Sequence, residues 1–207
     1  MIQESTKRRM PTEERQNEII RVAVELAAEK GVDSVTTQNM ADAMKVTQGA
    51  IFRHFATKDD IWVAVMRWIR EQLMKVLEKA AAGATGPVDA IERMFFAHIG
   101  FISKHPAIPR LLFSELLHKK NSKLRELIQE IISGYEAKIA GLLETAKQQA
   151  LVPPDLDSRS AAVLYIGMIQ GLVMQASIFG GKRSLQAEAE KTFPIFLLGI
   201  KPRSPAA

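Results

Sequence analysis

The stretch Thr36 to Lys58, TTQNMADAMKVTQGAIFRHFATK, constrains the fold more than any other part of the chain. Met40, Ala41 and Met44 recur at the spacing of one buried helical face, with Thr36 or Thr37 ahead of them as an N-cap. Lys45-Val46-Thr47 holds too few residues for a loop, so a tight turn is expected there. Thr47 then caps a second short helix, in which Ile51 and Phe55 share the inner side while Gln48, Arg53 and His54 point elsewhere. Thr57, with Lys58 at the first helical position and Asp60 at the third, opens another helix through a capping box. Two short helices joined this closely predict a helix-turn-helix, whose second helix lies in the major groove of DNA.

The outer residues of that second helix suit such a task. The Gln48 amide offers a donor and an acceptor to a base edge, adenine by preference. Gly49 lets the helix N-terminus and its unpaired amides approach a phosphate. Ala50 is suited to a thymine methyl, and Arg53 and His54 lie further along, where side chains reach the backbone. Each residue also has a plainer reading: a solvent-facing glutamine needs no explanation, and His54 is either a phosphate contact or partly packed. No second His, Cys or close acid accompanies it, so metal ligation is not expected.

The wider set of landmarks, from about Arg15 to Leu73, adds Ala27, Gly31 and Lys58 to Thr36-Thr37, Met40-Ala41 and the run Val46 to Phe55. Together they resemble the tetracycline-repressor-like (TetR) family of bacterial transcriptional regulators. The resemblance implies an all-α fold: an N-terminal three-helix helix-turn-helix domain, then a larger helical ligand-binding and dimerisation domain. It implies contacts to double-stranded DNA from Thr36, Thr37, Gln38, Thr47, Gln48, Gly49, Ala50, Phe52, Arg53, His54 and Lys58. It further implies a homodimer on a palindromic operator, and repression rather than activation. Phe52 stands where the family usually carries tyrosine; without the hydroxyl it is left with packing or van der Waals contact, and Arg53 takes up part of the phosphate role.

The bulk composition agrees with a globular chain. Its 207 residues are long enough for a proper core, and a net charge of +5 is compatible with nucleic acid. Basic groups gather in the arm Lys7-Arg8-Arg9 and at Lys45, Arg53 and Lys58, whereas most acids of the N-terminal part lie in the first helix. The absence of cysteine removes disulfides, thiolate zinc sites and cysteine catalysis, and the N-terminus lacks the apolar core of a signal peptide. A cytoplasmic protein without cofactor or metal is expected. The expected divisions are a flexible basic arm over 1–11, the DNA-binding domain over 12–57, a helical domain over 58–200 whose segment 58–82 is the connecting helix, and a flexible tail over 201–207. Thr12 is expected to cap the first helix, which Gly31 ends.

Beyond the break AAAGATGP the pattern stays helical. Ser160 to Gly181 carries no charge and is long enough to cross a bilayer, but its glutamines, serines and glycines favour a helix buried on most sides. The last two long helices, this one and Ser184 to Ile200, are apolar enough to form the dimer interface that the resemblance implies. Phe95, His98, Phe101, Phe113, Leu117, Tyr135 and Met168 come from different helices and each is core by default; together, with His98, Tyr135 or Gln170 as polar anchors, they suit an adaptable pocket for a hydrophobic or aromatic small molecule. An enzyme is not expected, because no nucleophile-and-base signature, phosphate-binding glycine loop or His-x-x-x-His pair occurs. The alternative from another class is an architectural or scaffold protein that binds DNA through the same motif and takes no ligand.

Overall fold

The computed structural model describes residues 11–109, 111–112, 122–180 and 182–202, and among them the chain is helical with no strand. The arm Lys7-Arg8-Arg9, the residues Phe113 and Leu117 and most of the tail lie outside the described residues.

Helix α1 is Thr12–Lys30, with Glu13 and Glu14 in its first turn. Its N-cap is Pro11, extended at ψ 150, and no side chain caps it. Thr12 is therefore the first helical residue rather than the cap. Proline needs no partner for an N–H it lacks, and its carbonyl still accepts from the Arg15 amide at 3.1 Å. Gly31, at φ 80, ends the helix as expected.

Helix α2, Thr37–Ala43, is capped by Thr36, whose hydroxyl accepts from the Asn39 amide while the Asn39 side chain returns the bond. It closes in a Schellman turn. The Val46 amide reaches the Ala41 carbonyl at 2.9 Å and the Lys45 amide that of Asp42 at 3.1 Å. Lys45 takes the left-handed position at φ 54, which favours glycine. Helix α3, Gln48–Phe52, follows at once, capped by Thr47 through the Ala50 amide at 3.2 Å.

Helix α4, Lys58–Ala82, starts in the expected Thr57–Asp60 capping box. At 25 residues it is about 37 Å long. Near its start Ile61, Trp62 and Val65 are buried in the same core as Ile19 and Ala23 of α1, Met40 of α2 and Ile51 of α3. Ile69, Leu73 and Leu77 continue that stripe into the core of the second domain. One continuous helix therefore runs from beneath the helix-turn-helix into the core of the second domain.

Helix α5, Pro87–Lys104, has Pro87 at its first position, and residues 107–109 and 111–112 are helical too, so Pro109 lies in a first turn. Helix α6 is Ser122–Gln148; it ends in a second Schellman turn, with Ala150 at φ 54 and the Leu151 amide on the Ala146 carbonyl at 2.9 Å. Helix α7 is Ser158–Ile178, capped by Asp157, and α8 is Leu185–Gly199, capped by Ser184 and containing Pro194. The uncharged stretch is thus α7, long and apolar enough to cross a membrane by composition; 39% of its most apolar window is buried inside the chain. It packs on α6 and α8, and α5 packs on α4, α6 and α8.

Candidate nucleic-acid interface

Ile51 fixes how α3 sits. It is fully buried, and Phe55 just past the helix is buried with it, so the opposite side of this short helix must face solvent. Thr47, Gln48, Gly49, Phe52 and Arg53 are exposed, with Ala50 at the margin. Thr36 and Gln38 of α2 are exposed as well, and the Gln38 amide donates to the Asp42 carboxylate at 2.7 Å. Phe52 is 43% exposed, so it is not core packing. A large ring held at the surface beside Arg53 is suited to van der Waals contact with a sugar-phosphate backbone.

The charges here are unneutralised. Among the described residues Lys45, Arg53 and Lys58 form no ion pair, whereas Arg15 of α1 is held by Glu18 at 2.6 Å. Free cations around a helix that presents its amides outward suit phosphate. A Cβ at Gly49 would meet only the Thr47 hydroxyl, at 3.9 Å, so glycine is not needed there for folding.

Three residues expected on this surface are less exposed than the rest of it. Thr37 is buried, 8% exposed, and its hydroxyl accepts a 2.6 Å bond from the Gln48 amide nitrogen. It lies behind Gln48 and not on the exposed face, because Thr36 takes the cap and α2 turns its next residue inward. His54 is half-buried, and its Nδ1 is buried with no partner among the described residues. Its carbonyl accepts from Gln16 of α1 at 3.2 Å, which ties α1 to the end of α3. Lys58 is half-buried at the start of α4. Neither the Gln16 tie nor the left-handed Lys45 is legible from helical periodicity.

The residues expected to line a pocket divide into two groups. Phe95 is fully buried, stacked on Phe193 at 4.5 Å and edge-on to Tyr165 at 5.7 Å. Tyr135 lies edge-on to Tyr165 and 5.5 Å from the His98 ring. Burial pushes His98 down to about 4, and its Nδ1 has no partner among the described residues. Phe101 is buried against His105. Met168, by contrast, is half-buried in a groove of about 550 Å³ between α7 and α8, and Gln170 is exposed, five residues and about 140° round α7 from the buried Tyr165. Sequence reasoning passed over Tyr165, although it is one of only two tyrosines and falls on the buried stripe Ala161, Ala162, Ile166, Ile169.

Known proteins bear on this arrangement. The family model described as bacterial regulatory proteins, tetR family, matches residues 19–65, and that of the YsiA-like protein C-terminal region matches residues 69–199. The nucleoid occlusion factor SlmA of Haemophilus ducreyi is 27% identical over 135 residues, covering 65% of this chain and 67% of that protein. In fold, the chain is similar to the transcriptional regulator FadR of Bacillus subtilis in complex with stearoyl-CoA, with a TM-score of 0.78, 24% identity, and coverage of 89% of this chain and 98% of that one. A TetR transcription regulator from Haloarcula marismortui gives a TM-score of 0.82 at 14% identity, covering 92% of this chain and 100% of that one. The two family models meet within α4, the helix that joins reader to body, and between them span nearly all of the described chain. This protein belongs to the tetR family of bacterial regulatory proteins, DNA-binding regulators of transcription.

Proposed function

We propose that this regulator is a repressor, that it binds a palindromic operator as a homodimer, and that a hydrophobic small molecule releases it. The observation that carries the DNA half is the row Thr47, Gln48, Gly49, Phe52 and Arg53, exposed on α3 above the buried Ile51. The dimer half rests on the outer surface of α7 and α8, where Leu164 is 62% exposed, Ile178 70%, Ile195 68% and Leu198 67%. So large an apolar face is costly in water, and a second copy would cover it in a four-helix bundle.

The effector half rests on the rings around Phe95 and Tyr135, with His98, whose Nδ1 has no partner among the described residues, as a polar anchor, and on the stearoyl-CoA held by the similarly folded regulator of Bacillus subtilis. A ligand that fits a state with α4 displaced would shift the population away from the reader spacing that suits both half-sites. A second reading is favoured by the SlmA relatives, named for nucleoid occlusion: DNA binding through the same motif without an effector. Capture of genomic fragments by the purified protein tests the first claim. One short inverted repeat upstream of a few genes is expected. A gel-shift titration of that repeat with long-chain acyl-CoA and with aromatic compounds then separates the readings, since loss of the complex supports release and an unchanged complex with every compound supports the architectural role.

A further inference from the structure

We infer that Thr37 is a positioning residue for base recognition: it holds the Gln48 amide so that the helix reads adenine at one place in each half-site. The inference rests on the DNA-binding reading above.

The Thr36 hydroxyl caps α2, which leaves the neighbouring Thr37 hydroxyl for another partner. That partner is Gln48 Nε2, at 2.6 Å, from the first residue of α3. Thr37 is 8% exposed and cannot swing away, whereas Gln48 is exposed. A buried, fixed acceptor therefore grips an exposed, otherwise mobile amide.

An amide carries two N–H donors and one carbonyl acceptor. With one N–H given to Thr37, the group presents one donor and one acceptor outward. That pair matches adenine, whose major-groove edge offers the N7 acceptor and the N6 donor. Guanine offers two acceptors there and would leave the Gln48 carbonyl oxygen facing another oxygen. Fixing the amide before binding also removes much of the ordering cost of a long polar side chain. The tie spans the turn between the two helices, so the reader's orientation is set by the helix-turn-helix itself.

Selection from randomised duplexes, followed by sequencing, tests this with the full-length protein, Thr37→Val, Thr37→Ser, Gln48→Ala and the Thr37→Val/Gln48→Ala double variant. The wild type is expected to prefer adenine roughly tenfold at one position of each half-site. Thr37→Val should lower that preference to about threefold or less and leave the other positions alone, Thr37→Ser should keep it, and Gln48→Ala should abolish it with no further change in the double variant. Thr37→Ala, which only removes atoms, serves if valine disturbs α2. A preference untouched by Thr37→Val or Thr37→Ala overturns the inference. So does guanine at that position, or affinity that falls alike for every sequence, as a purely structural Thr37 would give. Failure of the wild type to select any inverted repeat would instead overturn the DNA-binding reading on which this rests.

Discussion

Tyr135 of α6 and Tyr165 of α7 meet hydroxyl to hydroxyl at 3.1 Å inside the second domain. Tyr165 gives its only proton to the main-chain carbonyl of Ile91 on α5, also at 3.1 Å, so Tyr135 must be the donor of the pair. Burial raises both phenols above their ordinary range, and both stay protonated. Three helices are joined by one directional chain of hydrogen bonds.

That direction makes the two tyrosines unequal. Tyr165→Phe leaves the buried Tyr135 hydroxyl without an acceptor and is expected to cost about 1–3 kcal/mol, whereas Tyr135→Phe leaves Tyr165 still bonded to Ile91 and should cost about 1 kcal/mol. Urea denaturation of the two variants measures the difference. Equal costs, or the reverse order, would show that the proton runs the other way.

His98 gives the stability a pH dependence. Its protonated form is the charged one and is disfavoured in the fold, where it titrates at about 4 against an ordinary 6.5. The unfolded chain therefore binds the extra proton first, and stability is lost as pH falls from about 6.5 towards 4. Between pH 7 and pH 5 the loss through this residue is about 2 kcal/mol. His105 is also lowered, by burial and then by Lys104, and acts in the same direction. The contribution of His98 is accordingly the difference between wild type and His98→Leu, and parallel stability curves for the two would contradict the assignment.

Lys45 occupies a backbone region that L-residues adopt at a cost, in a turn already fully hydrogen-bonded. Lys45→Gly should raise stability by about 1 kcal/mol, the strain relieved less the greater freedom of glycine when unfolded. A denaturation midpoint that stays in place or falls would mean the turn is not held as described.

The outer face of α7 and α8 makes a claim about mass. Sedimentation should give twice the 23.0 kDa of the chain. Leu164→Glu with Leu198→Glu, at positions 62% and 67% exposed and so tolerant of polar atoms in the single chain, should yield a folded monomer. A wild-type monomer at tens of micromolar would remove the proposed interface.

The helix-turn-helix was legible because its signals are local. Thr36, Thr47 and Thr57 cap the helices that follow them, and Met40, Ala41 and Ile51 are buried where periodicity puts them. Caps and turns depend on neighbours within four residues, which a sequence displays. What escaped depends on distant partners. Gln16 reaches His54 across 38 positions and Tyr165 reaches Ile91 across 74, and no spacing rule links such pairs. Periodicity also says only that a residue has an inner side, not what lies there. Thus Phe95 and Tyr135 share one ring cluster, while Met168 lies in the outer groove and Gln170 faces solvent.

The exposed side of α3 is proposed to enter the DNA groove twice, from two subunits held at a fixed distance. Fluorescence anisotropy on the selected inverted repeat, beside the same repeat with five base pairs inserted between its halves, measures this directly. Half a helical turn puts the second half-site on the opposite side of the duplex, so binding to the altered repeat should fall to the level of a single half-site. Equal affinity for the two duplexes would contradict it.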